Sequence, residues 1–362
     1  MKIDIIAGAR PNFMKIAPII EAIENKQFKG IEIEFRLVHT GQHYDKKMSG
    51  NFFEQLGIPE PDVNLQVGSG TQAEQTANIM VRYEKLLINE MSDICLVVGD
   101  VTSTMACAIV AKKTGLIVVH VEGGIRSFDL TMPEEINRMV TDSITDYFFT
   151  TSKSANNNLE KLGIKKEQIF YVGNTMIDTL FKQMKNFTKP RVYRELKLEQ
   201  KKYLVMTMHR PANVDEIDKL REFLITIEEN VNNRKVIFPV HPRTDKILIE
   251  MDIDFKSIIP ISPLSYLEFN YLVNNSMAVI TDSGGITEEA TVMGIPCMTL
   301  RDNTERPETI TEGTNELIGT DPVKLIPALE TLFTGKWKRG TIPYLWDGKT
   351  SERIVEQLLE IK

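Results

Sequence analysis

The sequence contains little cysteine, no long apolar run and no excess of positive charge. Its three cysteines, Cys95, Cys107 and Cys297, lie in apolar stretches without a pairing pattern, which predicts buried, reduced thiols and a cytoplasmic protein. No apolar run approaches the ~18 residues of a transmembrane helix, so no membrane association is expected. A net charge of −7 argues against a nucleic-acid-binding surface, because such surfaces are basic.

Two signatures of cofactor binding are also missing. The segment "GSGTQA" (68–73) lacks the third glycine and the preceding strand of a dinucleotide-binding fingerprint, so NAD or FAD is not expected. The segment "HTGQH" (39–43) has two histidines four residues apart, but no glutamate or cysteine stands beside it at ligand spacing. We therefore predict neither a metal nor an organic cofactor.

Short apolar runs alternate with helical periodicity over most of the 362 residues, as in doubly wound parallel sheets. A chain of this length usually forms more than one core, so two α/β domains are expected. We interpret the charged stretch 189–202, "KPRVYRELKLEQKK", as a linker or irregular connection. The expected domains are 1–173 and 174–349, and 350–362 is expected to form a helix that packs back on the first domain. Strands are predicted at 2–8, 33–39, 94–100, 116–122, "YFFTT" and 169–173, then at 203–209, 236–241, 277–282 and 295–300.

Polar residues stand at or just after the carboxyl ends of several of these strands. Ligands bind beyond the carboxyl ends of parallel strands, so these residues predict one site in a cleft between the two sheets. They are Arg10, Asp100, Glu122, His209, His241 and Ser283.

Structural explanations stay open for single residues. Asp100 could cap the helix that follows it, and Asn213 or Asp215 could cap the turn after His209. Arg10 could form a surface salt bridge, and Phe269 could belong to the core. Acidic residues in a first helical turn, as in "MPEEINR" (132–138), commonly complement the helix dipole.

The segment "VITDSGGITEEA" (279–290) combines an anion site with a carboxylate. Ser283, Gly284 and Gly285 place backbone N–H groups at a helix N-terminus, where anions bind. Glu288 and Glu289 follow about one turn later, and their carboxylates would repel an anion that touched them. A sugar nucleotide satisfies both features, because its phosphates suit the N–H groups and its ribose hydroxyls suit the carboxylate.

Nearly the whole chain resembles the non-hydrolysing UDP-N-acetylglucosamine 2-epimerases. The resemblance rests on motifs in a shared order: "GARPNFMKIAPI", "GQH", "GDVTST", "HVEGGIRS", "MPEEINR", "GNTMIDTL", "HRPANVD", "TDSGGITEEA" and "RDNTERPE". It implies the GT-B fold, in which two Rossmann-like domains face a central cleft. It also implies a homodimer and a role in cell-surface polysaccharide precursor synthesis.

The resemblance implies a role for each matching residue. Asp100, Glu122 and Glu134 match the catalytic carboxylates, and Lys15 and His209 match an active-site lysine and histidine. Substrate-binding roles fall on the phosphate-contacting Arg10, on Arg138, on Phe269 beside the uracil, on the diphosphate turn Ser283, Gly284 and Gly285, and on the ribose-binding Glu289.

The implied reaction interconverts UDP-GlcNAc and UDP-ManNAc without a cofactor. UDP is eliminated across C1–C2 to give a 2-acetamidoglucal, and UDP then adds back with protonation from the opposite face. A hydrolysing epimerase, a GT-B glycosyltransferase and a non-catalytic sugar-nucleotide sensor remain alternatives.

The chain departs from the family pattern in three places. The segment "FDLTM" is shorter than usual, Tyr44 follows "GQH" where many members have arginine, and "HPRT" (241–244) replaces the usual "H-x-N-P". Some relatives bind regulatory UDP-GlcNAc near Gln42, His43 and His241, so the departures make allosteric activation less expected. They also leave room for a modified substrate, such as a UDP-2,3-diacetamido-uronic acid.

Overall fold

The computed structural model describes residues 1–41, 57–214, 216–240, 242–251 and 253–361. The chain divides into two compact units. The N-terminal unit comprises Met1–Thr179 and Tyr344–Lys362, and the C-terminal unit comprises Leu180–Pro343. No helix among the described residues is both long and apolar enough to cross a membrane.

Each unit is built on one parallel sheet. The strands are β1 (Lys2–Ala7), β2 (Glu34–His39), β3 (Val63–Asn64), β4 (Ile94–Val98), β5 (Ile117–Val121), β6 (Tyr147–Thr150), β7 (Ile169–Tyr171), β8 (Leu204–Thr207), β9 (Val236–Pro239), β10 (Ile258–Ile261), β11 (Ala278–Thr281), β12 (Cys297–Thr299) and β13 (Asn315–Leu317). Over the described residues, the N-terminal sheet has the order β3-β2-β1-β4-β5-β6-β7 and the C-terminal sheet has the order β10-β9-β8-β11-β12-β13.

Helices connect the strands. They are α1 (Arg10–Phe28), α2 (Gln72–Asn89), α3 (Thr102–Thr114), α4 (Pro133–Ile144), α5 (Lys153–Lys161), α6 (Thr175–Met184), α7 (Arg191–Glu195), α8 (Pro211–Val214), α9 (Ile217–Asn230), α10 (Pro242–Glu250), α11 (Tyr266–Asn275), α12 (Gly284–Val292), α13 (Pro307–Thr311), α14 (Leu325–Phe333) and α15 (Thr350–Glu360). The predicted fold class, α/β with two doubly wound units, is confirmed.

The strand order places one switch point in each sheet. In the N-terminal unit β1 lies between β2 and β4, and in the C-terminal unit β8 lies between β9 and β11. The chain leaves these neighbouring strands in opposite directions along the sheet, which opens a crevice at their carboxyl ends where ligands bind. Residues just after β1, β4, β8 and β11 are therefore the ones that the fold presents to a ligand.

Apolar strands form the cores because their side chains are covered on both faces of the sheet. In the N-terminal unit Ile6, Val97 and Val118 pack with Tyr83 of α2. In the C-terminal unit an equivalent cluster joins Phe238 and Ile280 to Phe223. Burying each such side chain contributes about 1.5–3 kcal/mol. All three cysteines are buried and free, as the sequence predicts.

Of the two interpretations of 189–202, the linker is wrong, because the segment lies within the C-terminal unit, and the irregular connection is closer to the structure. The segment contains helix α7, and Tyr193 and Leu198 belong to a buried cluster of the C-terminal unit. The ring of Tyr193 meets those of Tyr203 and Tyr271 edge to face. The charged residues of the segment are exposed, whereas the side chains of Tyr193 and Leu198 pack into the core.

The units change over at Thr179 and Tyr344, not at 173 and 349. Helix α6 begins in the N-terminal unit, where the Thr179 hydroxyl donates to the Met14 carbonyl at 2.6 Å. The segment before α15 also belongs there, because Trp346 is buried and its Nε1 donates to the Thr151 carbonyl at 3.0 Å. Helix α15 packs on α1 of the same unit.

Candidate active site

The switch point of the N-terminal unit is organised by Asn12 in the first turn of α1. Its Oδ1 accepts hydrogen bonds from the N–H groups of Gly8 and Ala9, at 3.1 and 3.0 Å. Its Nδ2 donates to the Val98 carbonyl at the end of β4, at 3.0 Å. One buried amide therefore ties the ends of β1 and β4 together.

Lys15 and Glu122 form a largely buried ion pair beside this amide. The Lys15 Nζ lies 2.7 Å from Glu122 Oε2, and the Glu122 side chain is 3% exposed. Glu122 has a φ of 68°, in the left-handed region that side chains rarely adopt. Its N–H donates to the Phe149 carbonyl of β6 at 2.8 Å, which holds the strained turn in place. Such strain is commonly found at functional sites.

Asp100 is paired with Arg138 of α4. Arg138 Nη2 bonds to Asp100 Oδ2, and Arg138 Nη1 lies 2.8 Å from Glu135 Oε2. The capping explanation for Asp100 is wrong, because the residue that precedes α3 as its N-cap is Val101. The Asp100 carboxylate instead faces a cation that comes from another helix.

The two acidic residues at the start of α4 have different surroundings. Glu135 is buried and accepts from the N–H and hydroxyl of Ser127, at 2.9 and 3.0 Å, so it holds the preceding loop. Glu134 is half-buried, and among the described residues no hydrogen bond or ion pair reaches its carboxylate. Glu134 is therefore the carboxylate of this turn that a ligand can use.

The switch point of the C-terminal unit is organised by Asp282, directly after β11. Its buried carboxylate accepts from the N–H groups of His209 and Arg210, from Asn213 Nδ2 at 3.1 Å and from His209 Nδ1 at 2.7 Å. Burial by itself would raise the pKa of Asp282, but the hydrogen bonds from His209 and Arg210 outweigh it, and the pKa is lowered. His209 is exposed and is held through Nδ1, which leaves Nε2 for a ligand.

Asn213 does not act as the helix cap considered in the sequence analysis; its side chain instead donates to Asp282. The Asn213 amide also donates to the Leu300 carbonyl at 3.2 Å, so it joins Asp282 to the end of β12. Helix α9 starts later, with Glu216 as its N-cap. Asp215 lies outside the described residues.

Helix α12 begins at Gly284, with Ser283 as its N-cap. The Ser283 side chain makes no capping bond, and its N–H donates to Thr281 Oγ1 at 3.0 Å. A Cβ added at Gly284 would meet no atom within 4 Å. The free N–H groups of the first turn, together with the open space at Gly284, suit an anion that approaches the helix end.

Neighbouring glutamates of α12 point to different partners. Glu289 is buried, and the Tyr266 hydroxyl donates to its Oε1 at 2.6 Å. Burial raises the pKa of Glu289 to about 7, against hydrogen bonding from Tyr266 that lowers it. Glu288 pairs instead with Arg306 Nε, near the buried Glu308. Burial raises the pKa of Glu308 to about 7 as well.

Of the remaining predicted site residues, the structure describes some and not others. Phe269 of α11 is half-buried and packs against a core cluster of the C-terminal unit. Arg10 is the first residue of α1, and its side chain is outside the described part of the structure, as are Gln42, His43 and His241. Among the described residues, no group of three or more His, Cys, Asp or Glu side chains could hold a metal ion.

Sequence reasoning missed the residues that hold the site residues in place. Asp282, Tyr266 and Asn12 bond to predicted residues or to the turns that carry them. Asp282 is the last residue of the predicted strand 277–282, so the rule used for the other strand ends would have found it. Tyr266 gives no comparable signal, because its contact with Glu289 depends on how two helices pack.

The two doubly wound units share one order over six strands, and each has charged residues at its switch point. Together they define a two-unit α/β enzyme of the GT-B type. The family model described as UDP-N-acetylglucosamine 2-epimerase matches residues 26–359. The chain belongs to the UDP-N-acetylglucosamine 2-epimerase family, whose members are isomerases. The resemblance stated for the sequence is thereby confirmed.

Individual relatives match along their whole length. The UDP-N-acetylglucosamine 2-epimerase of Methanocaldococcus jannaschii is 42% identical over 99% of both chains. Its crystal structure in complex with UDP-GlcNAc and UDP has a TM-score of 0.88 and covers 100% of both chains. The UDP-2,3-diacetamido-2,3-dideoxy-D-glucuronate 2-epimerase of Pseudomonas aeruginosa is 35% identical over 100% of both chains.

Proposed function

We propose that the chain interconverts UDP-N-acetylglucosamine and UDP-N-acetylmannosamine without releasing free sugar. The observation that carries the proposal is the set of three carboxylates at the carboxyl edge of the N-terminal sheet. Glu122 is paired with Lys15, Asp100 is paired with Arg138, and Glu134 is left available. Inversion at C2 requires a base on one face of the sugar and an acid on the other, which this set supplies.

The reaction proceeds by elimination and re-addition. A carboxylate takes the C2 proton, the electron pair forms the C1–C2 double bond, and the C1–O bond breaks so that UDP leaves. UDP then adds back to C1 of the glycal while a second carboxyl group protonates C2 from the other face. Lys15 and Arg138 hold the carboxylates of Glu122 and Asp100 in place through these ion pairs.

In this proposal the C-terminal unit binds the nucleotide. The N-terminal turn of α12, from Ser283 to Gly285, receives the diphosphate, and His209 Nε2 donates to it as charge develops on the leaving oxygen. Glu289 accepts from the ribose hydroxyls, and Phe269 lies against the uracil. The match of Arg10 to the family's phosphate-contacting arginine supports a phosphate contact for this residue as well.

The test is incubation with UDP-GlcNAc in D₂O without any acceptor, followed by proton and phosphorus NMR. We expect UDP-ManNAc that carries deuterium at C2, with no free sugar accumulating. Free N-acetylmannosamine and UDP would indicate a hydrolysing epimerase instead. An unchanged substrate would contradict epimerisation and would favour a glycosyltransferase or a binding protein. The Glu122→Gln variant serves as the control for contaminating activity.

A second substrate is favoured by a specific comparison. The relative from Pseudomonas aeruginosa is a UDP-2,3-diacetamido-2,3-dideoxy-D-glucuronate 2-epimerase at 35% identity. The higher identity, 42%, is to a UDP-N-acetylglucosamine 2-epimerase, so UDP-GlcNAc remains the first candidate. Comparing kcat/KM for the two nucleotides under the same conditions decides between them.

We further propose a cytoplasmic homodimer that serves the synthesis of polysaccharide precursors. Exposed apolar side chains lie on helices of the N-terminal unit: Ile136 and Met139 on α4, and Val81 and Ile88 on α2. Both helices pack on α3, so a second copy of the chain could cover their outer faces. Sedimentation equilibrium of wild type and of Ile136→Glu tests this, because a dimer held by this face should dissociate in the variant.

A further inference from the structure

A fully buried histidine lies behind the carboxylates of the N-terminal unit. His120 is in β5, two residues before Glu122, and is 0% exposed. Its Nδ1 lies 2.7 Å from Asp142 Oδ1, and its Nε2 lies 2.8 Å from the Gly99 carbonyl oxygen. Both ring nitrogens therefore face oxygen atoms.

These two oxygens determine which hydrogen bonds the ring can make. A carbonyl oxygen has no proton to give, so Nε2 must donate to Gly99. The other Asp142 oxygen is held by Arg126 Nη1 at 2.6 Å and by the Gly124 N–H at 3.1 Å. Burial would raise the pKa of Asp142, but the interactions with His120 and Arg126 outweigh it and lower the pKa. An ionised Asp142 needs a donor at Nδ1, so the ring carries protons on both nitrogens.

The contact with Gly99 connects this ring to the site. Gly99 directly precedes Asp100 and has a φ of 69°. Its N–H donates to the Val121 carbonyl at 3.0 Å, and its carbonyl accepts from His120, so both sides of the peptide turn are bonded to β5. A Cβ at Gly99 would lie 3.2 Å from Lys15 Nζ and 3.9 Å from Glu122 Oε2. Any shift of this turn would therefore disturb Asp100 and the Lys15–Glu122 pair together.

We propose that His120 is a positioning residue for the epimerisation: an imidazolium held between Asp142 and the Gly99 carbonyl that sets the spacing of the Asp100 and Glu122 carboxylates. This inference rests on the proposed function, because spacing matters only if both carboxylates act on one sugar. The buried group Arg126–Asp142–His120 also keeps one net positive charge behind the two carboxylates.

Two amide substitutions separate the two contacts of the ring. In His120→Gln the amide nitrogen can occupy the place of Nε2 and donate to Gly99. In His120→Asn it can occupy the place of Nδ1 and donate to Asp142, but it cannot reach Gly99. Since the proposal acts through Gly99, kcat should fall by about 10²-fold in His120→Asn, as for a displacement of the reacting groups by about 1 Å. His120→Gln should keep most of the activity.

The controls separate positioning from stability. UDP affinity should be unchanged in both variants, because the diphosphate turn and the residues proposed to bind the uracil and the ribose belong to the other unit. Tyr83→Phe removes a buried hydrogen bond to Asp4 Oδ2 in the same unit and should lower the melting temperature without changing kcat. Equal kcat in the Gln and Asn variants, or a kcat that simply follows the melting temperature across all three, would overturn the proposal.

The protonation state of the His120 ring can be measured in the wild-type protein without turnover, with folded His120→Gln used only to assign the signal. Nitrogen-15 NMR of ring-labelled histidine at neutral pH should show one buried ring with protons on both nitrogens, assigned by its loss in His120→Gln. A ring protonated on one nitrogen only would refute the proposed imidazolium. Wild-type protein that shows this ring but does not epimerise UDP-GlcNAc would contradict the proposed function and leave the charge assignment intact.

Discussion

Glu289 is a carboxyl group whose surroundings oppose its charge in the absence of ligand. It is buried in α12 beside Glu288, and the Tyr266 hydroxyl is its hydrogen-bond donor at 2.6 Å. Burial raises its pKa to about 7, so part of this group is protonated in the free protein at neutral pH. Ribose hydroxyls would supply the donors that an ionised carboxylate lacks, so nucleotide binding and loss of this proton should be linked.

We therefore expect the UDP affinity of the wild-type protein to fall as the pH is lowered through about 7, because binding must then expel a proton from Glu289. In Glu289→Gln this dependence should disappear, and affinity at high pH should be weaker by about 1–3 kcal/mol. Isothermal calorimetry of both proteins across the pH range measures the difference, in which the ionisation of UDP itself cancels. Glu308→Gln, which removes the other carboxyl group with a raised pKa, is the matched control and should retain the dependence.

The raised pKa of Glu289 also makes the free energy of unfolding depend on pH. A pKa raised from 4.5 to about 7 means that the folded protein binds this proton more tightly than the unfolded chain. The free energy of unfolding should therefore decrease as the pH rises from about 4.5 through 7, and this part of the decrease should be absent in Glu289→Gln. If UDP affinity in wild type and Glu289→Gln changes with pH in the same way, Glu289 does not belong to the nucleotide site.

The three carboxylates of the N-terminal unit should be needed for turnover and not for nucleotide binding. Asp100→Asn, Glu122→Gln and Glu134→Gln should each lower kcat by at least about 10²-fold, the smaller contribution expected of a general acid or base. UDP affinity should stay at the wild-type value. Glu84→Gln, on an exposed position of α2, is the control for loss of a negative charge. Near-normal kcat in all three variants would remove these residues from the proposed chemistry.

At the scale of an element, the N-terminus of α12 offers a test that separates folding from binding. Gly284 is the first residue of the helix, and a side chain there would meet no protein atom within 4 Å. Gly284→Ala should therefore leave the melting temperature unchanged or slightly higher, because alanine favours the helix by up to about 1 kcal/mol. The added methyl group would occupy the space proposed for the diphosphate, so UDP affinity should fall.

The melting temperature without ligand and the loss of UDP affinity can both be measured by following thermal unfolding at increasing UDP concentrations. Bound nucleotide stabilises the protein by about 2.7 kcal/mol at a concentration of 100 Kd, so a weakened site shows as a smaller shift at the same UDP concentration. A variant that keeps the full UDP-dependent shift would argue against diphosphate binding at this helix end. A variant with a lower melting temperature without ligand would show that Gly284 has a structural role.

At the scale of the whole molecule, the segments "GQHY" and "HPRT" differ from the usual family pattern, and these differences bear on allosteric activation by UDP-GlcNAc. Tyr44 and His241 lie outside the described residues, so this prediction rests on the sequence. We expect turnover of a second UDP-sugar to be hyperbolic and not to require UDP-GlcNAc, because the altered residues would bind an activator with little difference between two states. Initial rates across substrate concentration, with and without UDP-GlcNAc, measure this. Sigmoidal kinetics, or a reverse reaction that stays silent until UDP-GlcNAc is added, would contradict it.

The sequence by itself determined the α/β class, the two sheets and the strand ends that carry polar residues. These features depend on local patterns: apolar runs form covered strands, and the residues that follow them reach the carboxyl edge of the sheet. Asp100, Glu122 and His209 could be selected in this way without knowledge of their neighbours. The packing of the stretch 189–202 could not be predicted in this way, because most of its residues are polar or charged and only two side chains, Tyr193 and Leu198, are buried in the core cluster.

Only the tertiary structure decided which group each of these side chains meets. Successive residues of a helix differ in direction by about 100°, so Glu288 turns to Arg306 while Glu289 turns to Tyr266. Arg138 reaches Asp100 from 38 residues away. Such pairings depend on how separate elements pack, and their energies arise from burial and from contacts between distant parts of the chain. No local pattern in the sequence records them.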